Sequence, residues 1–222
     1  MNRREFTVAF SALGVPAWAE SATSETEAAT GIRAALERGA TAAVAQLGRT
    51  DGFLSNPLVR IGLPGHLEGV AKLMRKLGQG GPLDELVTAM NRAAEAAMPE
   101  ARSLFVSTVK AISVQDALKV VSGGATSVTD FFAAKTRAPL GLRFLPIVTE
   151  ATEKVQLAER YNAVAAKAAT FGLLKGDDVN LQKYVTTRAL DGLFLMVAEE
   201  EKRIRANPLQ TGSAILSKVF GR

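Results

Sequence analysis

One stretch limits the architecture more than any other. Residues 178–206 carry no proline, and positions 189–198 are apolar except for Asp191 and Gly192. As a helix the stretch is about 29 residues, roughly 43 Å at 1.5 Å per residue. A helix that is apolar all round is surrounded by others. The stretch therefore predicts the long central helix of an all-α bundle. Gly192 costs about 1 kcal/mol relative to Ala inside a helix, which predicts a close approach by another backbone.

The rest of the chain has the same period. Apolar residues recur at steps of three and four, and no alternating run occurs. Turn pairs and prolines divide this pattern into about eight helical segments. The first spans about 26–47. A loop follows over 48–64, without helical period, holding Arg49, Asp51, Asn56 and Arg60. A short helix carries Leu67, Val70, Ala71, Met74 and Leu77 inward. Pro82 suits the first turn of the next helix, and Pro99 should break or kink it. Ser113 caps a helix to Val121, with Asp116 at its third position. Segments 127–136 and 139–148 come next, the second opened by Pro139 and kinked at Pro146. The last are 155–171, 178–206 and a tail helix over 211–220.

The first 19 residues read as an export signal. Asn2-Arg3-Arg4 is followed by an uncharged, mostly apolar stretch, and Ala17-Trp18-Ala19 suits a signal peptidase, with cleavage before Glu20. Arg3-Arg4-Glu5-Phe6 also suits a twin-arginine signal, without the usual Ser or Thr before it, so both that route and the general secretory route stay open. The expected product is a single helical domain over 20–222 in the periplasm. No later run is apolar enough to span a bilayer, since Asp191 interrupts the best one.

Composition removes several chemistries. There is no Cys and a single His, His66. Disulfides, thiolate nucleophiles, iron–sulfur sites and multi-histidine metal sites are thereby excluded. No cofactor motif occurs, and neither a cofactor nor a metal is expected. The 27 Lys+Arg exceed the 22 Asp+Glu by a margin spread along the chain, which makes no case for nucleic acid.

Motif searches give bland results. Ser107-Thr108-Val109-Lys110 spells S-x-x-K, but its companion motifs are missing. Gly78-Gln79-Gly80-Gly81 lacks the Lys-Ser/Thr ending of a phosphate loop. Glu199-Glu200-Glu201 before Lys202-Arg203-Ile204-Arg205 places Glu199 with Arg203 and Glu201 with Arg205 at i,i+4. Lys72, Arg75 and Lys76 make a short basic face suited to anionic lipid.

Asp191 is the most informative residue, because a carboxylate in an apolar run is costly to bury unpaired. Arg188 one turn earlier is a local partner; Arg92 or Asn91 would be partners from another helix. Asn91, Arg92 and Glu95, together with Tyr161 and Asn162, lie on the margins of apolar stripes. A pocket between helices finds its polar anchors there. With Asp191 and Glu199 they form the candidate ligand-binding set; no catalytic residue is assigned.

Several stretches resemble a bacterial family named only as domain of unknown function 4197. They are residues 47–54 (Leu47-Gly48-Arg49-Thr50-Asp51-Gly52-Phe53-Leu54) and 90–95 (Met90-Asn91-Arg92-Ala93-Ala94-Glu95). Tyr161-Asn162, Ala189-Leu190-Asp191-Gly192-Leu193-Phe194, Ala198-Glu199-Glu200-Glu201 and Lys218-Val219-Phe220-Gly221 complete the likeness. The resemblance covers nearly all of 20–222. It implies an exported, mainly helical protein and carries no activity with it. Several members are lipid-anchored at an N-terminal Cys, which this chain lacks.

The expected function is non-enzymatic: a periplasmic protein that binds a small molecule, lipid or envelope protein in a groove between helices. A carboxylate-dependent hydrolase or lyase using Asp191, Glu95 or Glu199 is the alternative. A second alternative is peripheral contact with the inner face of the outer membrane.

Overall fold

The computed structural model describes residues 17–78, 80–153, 158–159, 161–162 and 180–207. Among these residues the chain is all-helical, with no strand. The helices are α1 (Ala17–Gly48), α2 (Gly65–Lys76), α3 (Gly81–Ala111), α4 (Val114–Ser122), α5 (Ser127–Glu153) and α6 (Leu181–Ala206). None of the described helices is long and apolar enough to cross a membrane. Ala158, Glu159, Tyr161 and Asn162 are helical too, but the rest of the expected 155–171 segment lies outside the described residues. So do residues 1–16 of the expected leader and the expected tail helix. The start of α1 at Ala17 lies well before the predicted position 26.

Local chemistry explains several helix starts. Ser113 accepts the Asp116 backbone N–H at 3.0 Å, and its hydroxyl donates to the Asp116 carboxylate at 2.7 Å. This is the predicted cap of α4. Asn180 caps α6 by accepting from Lys183 N at 2.9 Å. Pro82 sits in the first turn of α3.

Pro139 departs from expectation, since it lies inside a helix and does not open one. α3 runs through Pro99, and α5 runs through both Pro139 and Pro146. A proline inside a helix costs about 3 kcal/mol. Beyond Pro99, Phe105 and Val109 are 1% exposed, and beyond Pro139, Leu140, Phe144 and Val148 are fully buried. Each such side chain gains about 1.5–3 kcal/mol from burial. Continuing the stripe therefore outweighs the lost bond, and two predicted segments merge into α5.

The core joins α3, α5 and α6. Phe105 lies 4.8 Å from Phe132 and 6.2 Å from Phe194, centroid to centroid. α6 packs against α1, α3 and α5, with Leu181, Val185, Ala189, Leu193 and Val197 inward. The expected enclosure on every side does not hold. Arg188, Asp191 and Leu195 are exposed along one stripe. Asp191 meets no penalty of burial, because it faces solvent.

The loop 49–64 packs on α6 and α3. Asp51 takes φ 64°, a left-handed conformation that Asp tolerates. Gly52 follows where a Cβ would lie 2.4 Å from the Leu47 carbonyl oxygen, so only glycine fits. Phe53 is then driven fully inside. At Gly192 a Cβ would lie 2.8 Å from the Phe53 ring and 3.1 Å from Val59 Cβ. The close approach predicted at Gly192 is real, but side chains of the loop make it, not a backbone.

Candidate functional site

Three α3 residues hold the loop. Asn91 is fully buried. Its Oδ1 accepts from Ile61 N at 2.9 Å, and its Nδ2 donates to the carbonyls of Ile61 (2.8 Å) and Val87 (2.7 Å). Glu95 is 5% exposed. Its Oε1 accepts from Phe53 N at 3.1 Å and Leu54 N at 3.3 Å, while Oε2 takes Arg92 Nη1 at 2.7 Å. Arg92 reaches on to Asp51 at 2.7 Å. The hydrogen-bonded Glu95 first, and Asp51 after it, raise the Arg92 guanidinium above its usual range. It stays charged, so the clamp does not open by titration there. A buried carboxylate is stable only when its lone pairs are filled this way.

Asn162 serves the start of α6. Its Oδ1 accepts from Leu181 N at 2.9 Å and its Nδ2 donates to Gln182 at 2.8 Å. Tyr161 beside it is buried. Glu199 pairs with Lys202 at 2.7 Å on the surface, not with Arg203, which pairs with Glu200. Glu201 does pair with Arg205, at 2.7 Å. It also accepts from Val128 N at 3.1 Å, Thr129 N at 2.9 Å and the Thr129 hydroxyl at 2.8 Å. Those are orphan N–H groups at the start of α5. Arg205 in turn donates to the Val121 carbonyl at 3.0 Å and Ser127 Oγ at 2.9 Å.

Residues 22–221 match the family described as a protein of unknown function, DUF4197. The chain belongs to this family. No curated protein and no solved structure matches it.

Most predicted site residues of this DUF4197 chain are thus occupied by the chain itself. A cleft of about 400 Å³ lies between residues 58–63 and α6, and Asn91 fixes its loop side at Ile61. Leu58 and Arg60 lie on the loop side. Tyr184, Arg188, Asp191 and Leu195 lie on the helix side. The Tyr184 hydroxyl donates to the Gly62 carbonyl at 3.2 Å and ties the two walls together. Asp191 pairs with Arg137 of α5 and, at 3.9 Å, with Arg188. Neither Asn91 nor Arg92 reaches it.

Of the predicted set, Asp191 alone lines this cleft. A larger groove of about 770 Å³ runs along α1 past Arg38 and Ile204 and ends on Asn207, the last described residue. None of the predicted residues lines it. Among the described residues no three His, Asp or Glu side chains gather as metal ligands. Sequence reasoning missed Tyr184, Arg188 as a cleft residue, Arg137 and Leu195. The signal was present: 184, 188, 191 and 195 follow steps of four, three and four, one helix face.

Proposed function

We propose that this chain is an exported, periplasmic, non-enzymatic protein, and that it binds a small molecule or lipid in the cleft between the 58–63 segment and α6. One observation carries the reading. A loop that could have been mobile is locked by Asn91, Glu95 and Tyr184 into a fixed lip, and that lip faces exposed Arg188 and Leu195. Fixed walls with a few polar anchors beside apolar surface are what small-ligand sites require. Carboxylate catalysis has less support, because Glu95 is enclosed by the loop it holds and Glu199 faces Lys202. General acid–base work needs its carboxylates in reach of one substrate.

Native mass spectrometry of protein purified from its own envelope tests the proposal. The wild-type chain should start at Glu20 and retain an added small mass that Arg60→Glu and Leu195→Asn lose. A chain starting at Met1 contradicts export. No retained mass, or the same mass on all variants, contradicts the cleft.

A further inference from the structure

We infer that Asp191 is an internal stand-in for a ligand head, and that the cleft takes an oxyanion-headed amphiphile whose carboxylate or phosphate replaces Asp191 between Arg137 and Arg188. The inference rests on the cleft reading above and names the ligand class. Asp191, Arg137 and Arg188 have side chains 43%, 42% and 55% exposed. Ion pairs this wet hold weakly, so an incoming anion displaces the carboxylate at little expense.

Each of the two guanidinium groups has a second hold besides Asp191. Arg137 lies over the Phe194 ring at 5.6 Å, and Arg188 over the Tyr184 ring at 5.3 Å. Stacking on a ring face orients a guanidinium independently of any carboxylate. Two oriented forks match the oxygens of a carboxylate or phosphate. Arg60 adds a third cation on the loop side, with no carboxylate partner among the described residues. Leu58, 63% exposed, and Leu195, 39% exposed, offer apolar surface at the same cleft. Cationic forks beside open leucines favour a charged head on an apolar body.

Isothermal titration of the full chain with octyl phosphate, octanoate, inorganic phosphate and octyl glucoside tests this. Asp191→Asn, with Asp191→Ala as a second variant, should bind octyl phosphate and octanoate tighter than wild type by up to about fivefold, the scale of an exposed ion pair. Arg188→Gln should bind them about tenfold weaker, and octyl glucoside should respond to none of these changes. If wild type binds and Arg188→Gln weakens it, but neither Asp191 variant tightens it, the stand-in role is overturned and the cleft survives. If inorganic phosphate binds as tightly as octyl phosphate, the amphiphilic assignment is overturned. If no probe binds any variant, the inference is overturned, while a ligand mass retained and lost as described above would still uphold the cleft.

Discussion

Asn91 grips Ile61 by both of its backbone groups, accepting the N–H at 2.9 Å and donating to the carbonyl at 2.8 Å. The contact imitates one rung of a sheet and joins α3 to a loop thirty residues earlier. Asn91→Leu keeps the branched heavy-atom skeleton but strands a buried donor and acceptor. Each stranded group costs about 1–3 kcal/mol, so the urea midpoint should fall by the equivalent of about 2–6 kcal/mol. A loss below about 1 kcal/mol would mean the loop finds other partners.

Glu201 is a cap supplied from another helix. Glu201→Ala removes the acceptor for Val128 N and Thr129 N and takes the Glu201 carboxylate away from Arg205. Breaking one side of a buried pair costs about 3–5 kcal/mol. Thermal unfolding followed by circular dichroism should show that loss. An unchanged melting curve would show that water replaces the cap.

Gly192→Ala sets two effects against each other. Ala gains about 1 kcal/mol of helix propensity. Its Cβ would meet the Phe53 ring at 2.8 Å and Val59 Cβ at 3.1 Å, and overpacking costs about 1–3 kcal/mol. The ring is buried and cannot give freely, so net destabilisation is expected in chemical denaturation. Net stabilisation would mean the loop can lift from α6.

Glu199→Ala should be silent. Its pair with Lys202 is exposed, and such pairs contribute about 0–1 kcal/mol. Neither the melting temperature nor the retained mass should change. A lost ligand would restore Glu199 to the binding set.

What was legible follows from range. The Ser113–Asp116 cap and Pro82 at the start of α3 are local patterns, and sequence alone located them. Glu95 reaches Phe53 across 42 positions and Glu201 reaches Thr129 across 72, so neither spacing announces its partner. Asn91, Arg92 and Glu95 looked like pocket anchors because polar residues on a stripe margin serve a ligand or a loop equally well. The hydropathy of α6 counted apolar residues without saying which face has a neighbour, so Asp191 was expected inside. Pro139 does not open a new helix, because packing on both sides outweighs one absent hydrogen bond.

Amide hydrogen exchange at Phe53, Leu54 and Ile61 tests most directly whether the loop is a fixed wall. Their N–H groups are held by Glu95 and Asn91, so they should exchange as slowly as the amides of buried Met90 or Leu193, and should speed up in Asn91→Leu. Exchange at the rate of an open turn in the wild-type chain would contradict the account.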